Sequence, residues 1–541
     1  MRRNTIALRG RPAATKRWRT TKRIEMNLFE NLVLLLFIAA VLLAASRRLG
    51  LPYPTLLCLA GVGAAFLPFA STVGLDPHIA LAVFIAPALL DAAFDTAPRD
   101  LKRLWVPLLI LAVGAVIATT AVVAYIGWRY AGMPLSAAVA LGAIVAPPDA
   151  VASTAVLGQT ALPRRSSLII RGESLLNDAA ALLIFGTAVA ISAQTSIADN
   201  LVRLGLAVPG GILFGIAMGL FVVSIARFFV GAQSNIIMQF TGTFGVWLLA
   251  DRLQVSPVLA VVADAMIIAY FLPSRVSARD RVQSYAVWAA VVFVLNVLAF
   301  LLMGLQTRAI LSQVATDQVW PALRFAGLIL LAVMAVRFVV VFAYYAVAVV
   351  VWRLSKPEWI PNPPKWKSAL ILAWCGNRGL LTLAASLALS VDFPQRPLII
   401  LSAMAVVLGT LTVQGLTLKP LIRWLKIQGS DREFIEELRR TRIRLLQAGL
   451  DALDTEAAPV RDNLKRQLQE AIEVTQSKLD PQSPTKFDAA LARAIAAERL
   501  ALHGLRGRGE IQDDVYQRLE EELDWLELAA LPSRDLEVLN T

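Results

Sequence analysis

The sequence predicts an all-α polytopic membrane protein of about thirteen transmembrane helices followed by a soluble helical C-terminal tail. Three observations carry this. Residues from about 26 to 427 are dominated by apolar runs of roughly 18 or more, long enough to cross a bilayer core of about 30 Å as helix. Charged residues make up only 17% of the 541-residue chain, against about a quarter in an ordinary soluble protein. The shortfall is uneven, because the last ~110 residues are rich in Glu, Arg, Lys, Asp and Gln.

The hydropathy pattern places the spans at about 27–46, 52–70, 76–95, 105–127, 134–158, 166–193, 202–226, 237–254, 256–272, 284–306, 321–352, 367–391 and 397–425. Charge in the connecting loops then alternates. Arg47, Arg48, Arg99, Lys102, Arg103, Arg164, Arg165, Arg227, Arg275, Arg279, Arg281, Arg353, Lys356, Lys365 and Lys367 fall in one set of loops. Arg129, Arg252, Arg308 and Arg396 fall in the other. Positive-inside bias makes the richer side cytoplasmic, and the tail emerges on that side of the cell (inner) membrane. The basic stretch 1–25 then sits on the wrong side, a conflict that translation from Met26 resolves; a miscounted span and a cleaved or translocated tail are the alternatives. The expected organisation is an N-terminal extension 1–25, a transmembrane domain 26–427 and a cytoplasmic tail 428–541. In the tail, Ser430-Asp431 can cap a helix through Phe434, Leu438, Leu445 and Leu446, and Pro459, Pro481 and Pro484 break later segments.

Composition excludes several functions. Cys58 and Cys375 both lie in apolar runs and offer neither a disulfide framework nor a metal set. With only His78 and His503, zinc hydrolysis of the HExxH kind is excluded. The net charge of +13 reflects loop topology rather than nucleic-acid binding. Ser174 beside Glu173 lacks the base and orienting group of a nucleophilic enzyme. The expectation is a non-enzyme without a cofactor.

The informative residues are polar ones within apolar spans, because an ionised group at membrane depth costs at least about 2.5–3.5 kcal/mol. Pro147-Pro148-Asp149 must break the fifth span, since each proline lacks an amide hydrogen and clashes with the preceding turn. Non-helical backbone at that depth lines a cavity, and the freed carbonyls with Asp149 are candidate oxygen ligands for an alkali cation. In the sixth span, four-residue spacing aligns Glu173 with Asn177 and Ser174 with Asp178 on one polar face. In the twelfth, Arg378 within Gly376-Asn377-Arg378-Gly379 cannot lose its proton and needs an acid, for which Glu173 is the candidate. That pairing leaves Asp149 and Asp178 as the titratable set. Asp91 in the third span is expected to assist at the cation site or its cytoplasmic funnel, with Asp95 at the interface. Asp264 has no evident partner.

At these residues the sequence resembles the monovalent cation:proton antiporter family of the sodium/proton exchanger (NhaP-like) type, over nearly all of residues 27–427. The broken segment ending in Asp149, the run Gly172-Glu173-Ser174-Leu175-Leu176-Asn177-Asp178 and Gly376-Asn377-Arg378-Gly379 carry the likeness. Leu51-Pro52-Tyr53-Pro54, Asn296 and Met303-Gly304-Leu305 add to it. The resemblance implies inverted repeats, two broken helices crossing near the midplane, a mobile core beside a dimerisation domain, and a homodimer. It implies that Asp178 is the main cation- and proton-binding carboxylate, with Asp149 and Ser174 nearby and Na+ held at Asp149 and Asp178. Glu173 and Arg378 would form a structural ion pair adjoined by Asn177. Asn177 is uncharged where electrogenic relatives carry a second aspartate, so one proton per cation and electroneutral exchange are expected. Family members often read Thr-Asp-Pro where this chain has Pro148-Asp149-Ala150, which loosens the expectation of sodium over potassium. A K+/H+ antiporter is the alternative, and a cation channel, which needs no coupled proton flux, ranks below it.

Overall fold

The computed structural model describes residues 14–67, 77–94, 96, 98–149, 153, 164–192, 197–229, 231–272, 275–355, 365–426, 432–453, 458–477, 486–508 and 510–530. Most of the basic extension, Asp95, Ala150, Lys356, the Ser430-Asp431 cap, Pro481 and Pro484 lie outside the described residues. Among the described residues every regular element is helical. The chain divides into two compact units, 1–427 and 428–541.

The first unit begins with α1 (Ala14–Leu49), α2 (Tyr53–Ala65) and α3 (Leu81–Phe94). It continues through α4 (Trp105–Ala131), α5 (Leu135–Val145), α6 (Arg164–Ser192) and α7 (Ile197–Ile225). Next come α8 (Ala232–Arg252), α9 (Pro257–Phe271), α10 (Ala278–Leu305) and α11 (Val319–Ser355). It closes with α12 (Trp366–Trp374), α13 (Leu380–Leu387) and α14 (Arg396–Leu425). Among the described residues six helices are long and apolar enough to cross a membrane, over 105–131, 165–192, 205–225, 278–311, 319–355 and 396–425. The shorter α2, α3, α5 and α9 are apolar as well. An apolar bundle of this kind belongs in a lipid bilayer.

Local chemistry sets several boundaries. Pro54 lies in the first turn of α2, where its missing amide hydrogen is no loss. The Ser256 hydroxyl caps α9, which has Pro257 at its first position, and Ser277 caps α10 by accepting from the Asp280 amide at 3.2 Å. In lipid, apolar surface gives no net drive to association, so close backbone packing of small residues takes over. The α2–α10 contact shows it: a Cβ on Gly61 would stand 3.0 Å from the Gly304 Cα, and one on Gly304 would stand 2.8 Å from the Gly61 Cα.

Two expected spans are interrupted. The fifth stops as helix at Val145, just before Pro147 and Pro148. The twelfth is split into α12 and α13 by the non-helical segment 375–379.

The second unit holds α15 (Arg432–Ala452), α16 (Ala458–Ser477), α17 (Lys486–Gly507) and α18 (Asp513–Ala530). Pro459 falls in the first turn of α16 and so marks a helix start. Ile495, Leu502 and Tyr516 are buried between α17 and α18. Tyr516 donates to Glu520 at 2.6 Å and its hydroxyl lies 2.9 Å from His503 Nδ1. The Glu520 carboxylate beside it raises the Tyr516 phenol above its ordinary value.

Candidate functional site

The two interruptions meet. The Asp149 amide donates to the Asn377 carbonyl at 2.6 Å, joining one non-helical segment to the other. Each segment then supplies a charged side chain to the helix end of its partner.

Arg378, 1% exposed, turns its guanidinium onto the end of α5. Its Nε donates to the Val145 carbonyl at 3.0 Å and its Nη2 to the Ala146 carbonyl at 3.2 Å. Its Nη1 donates to Gly376, and its amide donates to Thr410 Oγ1 at 3.0 Å. Asn177 Nδ2 donates to the Pro148 carbonyl at 3.0 Å. The carbonyls freed at the helix break are expected to be open to a cation. Those of Val145, Ala146 and Pro148 are instead occupied by Arg378 and Asn177, because a buried unbonded carbonyl is costly and a cationic side chain suits a helix C-terminus.

Asp149 occupies the opposite end of the arrangement. Its carboxylate lies against Gly379, the residue that precedes α13: a Cβ at Gly379 would come within 2.8 Å of the Asp149 Cβ and closer still to its carboxylate. Only glycine leaves room there. The negative group thus sits at a helix N-terminus, where the dipole favours it.

The ion pair expected between Glu173 and Arg378 is not formed. Glu173 is bound by Arg337 of α11, with both guanidinium Nη atoms on both carboxylate oxygens and Nη2–Oε2 at 2.8 Å. Both side chains are 2% exposed. Arg337 Nη2 also donates to the Leu372 carbonyl at 3.2 Å, near the end of α12. The physical reason is a division of labour: two helices end inside the protein, each needs a cationic cap, and Glu173 faces the one from α11. Arg337 was missed in the sequence, although a lone arginine amid Val-Met-Ala-Val and Phe-Val-Val-Val was a signal of the same kind as Arg378.

Beside this crossing lies a cavity of about 70 Å³, lined by Pro147, Pro148, Asp149, Ser174, Asp178, Asn296 and Thr382 among others. A single water needs about 10–15 Å³ of such space, so there is room for a cation together with several waters. Asp149, Ser174 and Asp178 therefore share one cavity, and the broken helices form its wall. Glu173, Asn177 and Arg378 stand behind the wall rather than on it. Asp91 also does not line it. Ala88 and Ala92, one turn apart on α3, face the cavity and turn the intervening Asp91 aside. Asp264 of α9 is buried away from the cavity, with neither carboxylate oxygen bonded among the described residues. The donor set on the cavity is hard oxygen, suited to an alkali cation.

Fold and site together define a membrane protein of interrupted helices enclosing an acidic cavity. Residues 33–424 match the family model described as "Sodium/hydrogen exchanger, transmembrane". An uncharacterized Na(+)/H(+) exchanger of Mycobacterium tuberculosis is 28% identical over 94% of this chain and 98% of its own. The sodium, potassium, lithium and rubidium/H(+) antiporter of Bacillus pumilus is 30% identical over 74% of this chain and 62% of its own. The solved structure of the sodium proton antiporter MjNhaP1 from Methanocaldococcus jannaschii superposes with a TM-score of 0.58 at 18% identity, covering 74% of this chain and 99% of that one. The chain belongs to the sodium/hydrogen exchanger family and is NhaP-like in type, a family of transporters rather than enzymes.

Proposed function

We propose that the protein is a secondary active antiporter that exchanges a monovalent cation, sodium in the first place, for a proton, the two competing at Asp178 with Asp149 and Ser174 alongside. The observation that carries the reading is the shared cavity: two carboxylates and a hydroxyl open onto it where two broken helices meet. With Asp178 ionised, the oxygens replace the hydration shell of a cation; with Asp178 protonated, the cation leaves.

The buried charges favour electroneutral one-to-one exchange. Glu173 and Arg337 cancel. Arg378 offsets one of the two cavity aspartates when both are ionised, leaving one negative charge. One proton or one monovalent cation neutralises it equally, so both loaded forms carry the same charge. Asn177 adds none.

Potassium/proton exchange is the second reading. Pro148 offers no side-chain oxygen at the crossing, and the name of the Bacillus relative covers potassium as well as sodium.

The same reading takes residues 26–427 as the exchange domain with thirteen spans in inverted repeats, and 428–541 as a cytoplasmic tail. It places the protein in the inner membrane as a homodimer serving pH homeostasis. In proteoliposomes, sodium- and potassium-driven proton flux measured side by side tests the exchange; normal flux in Asp178→Asn would overturn the assigned site. Flux that follows an imposed membrane potential would overturn electroneutrality alone.

A further inference from the structure

The Thr382 hydroxyl at the cavity has no task in the exchange just described. Thr382 lines the cavity with Asp149, Ser174 and Asp178, is 1% exposed, and its hydroxyl has no hydrogen-bond partner among the described residues.

The helix break explains the missing bond. Several threonines inside helices of this chain return the hydroxyl to the carbonyl four residues back: Thr187 to Leu183 at 2.7 Å, Thr243 to Gln239 at 2.8 Å, Thr410 to Val406 at 2.8 Å. Thr382 is the third residue of α13, so its counterpart four back is Arg378, inside the non-helical segment. The helical geometry that would present that carbonyl is absent. Thr120 also has an unbonded hydroxyl, but it does not line the cavity.

Buried hydroxyls are almost always bonded, so one left open at a cavity marks a partner that is not part of the chain. The neighbours identify its chemistry. Two carboxylates and the Ser174 hydroxyl make a hard-oxygen set, and a further neutral oxygen adds a ligand without changing the charge. Pro148, at the crossing itself, has no side-chain oxygen to give.

We propose that the Thr382 hydroxyl is a ligand of the transported monovalent cation and sets part of the preference among cations. This rests on the exchange reading above. A smaller ion draws more on each oxygen, so the hydroxyl favours sodium over potassium.

The test is cation-driven proton flux in proteoliposomes for wild type and three variants, each confirmed monodisperse in detergent. Thr382→Val keeps the shape and removes the oxygen; the half-saturating sodium concentration should rise by about tenfold, the scale of one lost ligand to a charge, and potassium should be affected less. Thr382→Ser keeps the oxygen and should stay near wild type. Thr382→Cys places a soft donor there and should weaken sodium more than thallium(I). A merely structural threonine would not separate the two ions. Unchanged half-saturation in Thr382→Val, or Thr382→Ser as impaired as Thr382→Val, would overturn the assignment while wild-type flux stands. Absence of flux in wild type would overturn the exchange reading, and the Thr382 assignment with it.

Discussion

Asp149 and Asn377 are joined by a backbone hydrogen bond of 2.6 Å, although the two residues belong to different interrupted helices. Around that bond the two segments exchange charges: Arg378 from the second caps the end of α5, and Asp149 from the first lies at the start of α13. Helix ends that would be costly inside an apolar protein become mutually satisfying. The same exchange holds an aspartate against the cavity without relying on a flexible loop.

Arg378 follows as a structural residue whose loss exposes several acceptors at once. Arg378→Gln abandons the carbonyls of Val145, Ala146 and Gly376, each unbonded acceptor costing about 1–3 kcal/mol. Arg378→Lys keeps the charge but not the planar fork and should recover only part. Thermal unfolding in detergent reads this directly; an unchanged midpoint in Arg378→Gln would refute the capping role.

The Glu173–Arg337 pair should behave as a coupled unit. Breaking a buried pair from one side leaves an uncompensated charge and costs about 3–5 kcal/mol, so Glu173→Gln and Arg337→Gln should each lower the thermal midpoint strongly. The double variant should recover part of the loss. A double-mutant cycle separates the pairings: coupling should be larger between Glu173 and Arg337 than between Glu173 and Arg378.

These residues show which parts of the site were legible in the sequence. The break at Pro147-Pro148 is local chemistry, readable from two missing amide hydrogens. Ser174 and Asp178 share a stripe by four-residue spacing, and their meeting with Asp149 accords with that spacing. The second break carries no proline, only Gly376 and Gly379, and was visible through resemblance rather than physics. The partner of Glu173 was not legible. Arg337 and Arg378 are both lone arginines in apolar runs, and which one meets an acid more than 160 positions away depends on how the helices pack. The fate of the freed carbonyls was hidden for the same reason.

Gly379 controls the position of Asp149. Gly379→Ala places a methyl where the Asp149 carboxylate now lies, so the aspartate must withdraw from the start of α13. The flanking packing can remain, so the expected result is a folded protein with weakened cation dependence: half-saturating sodium raised by about tenfold or more, with the detergent elution profile of wild type. Wild-type flux in Gly379→Ala would show that the Asp149 position is not critical.

Asp264 offers the contrasting case of a buried acid outside the site. It is fully buried on α9, and among the described residues neither carboxylate oxygen has a hydrogen-bond partner. Ionised, such a group at membrane depth would cost at least about 2.5–3.5 kcal/mol, and even neutral it leaves polar atoms unsatisfied. Its neighbours in sequence, Val261, Val262 and Ala265, belong to an apolar cluster, so a leucine of similar size suits the surroundings better. Asp264→Leu is therefore expected to hold or raise the thermal midpoint, by up to about 1–3 kcal/mol of stability, and to leave cation-driven proton flux unchanged. Asp264→Asn, which keeps the shape but adds unsatisfied donors, should be the less stable of the two. If both variants fold with wild-type midpoints yet lose flux, Asp264 belongs to the transport machinery, and the assignment of exchange to the single cavity at Asp149 and Asp178 is incomplete.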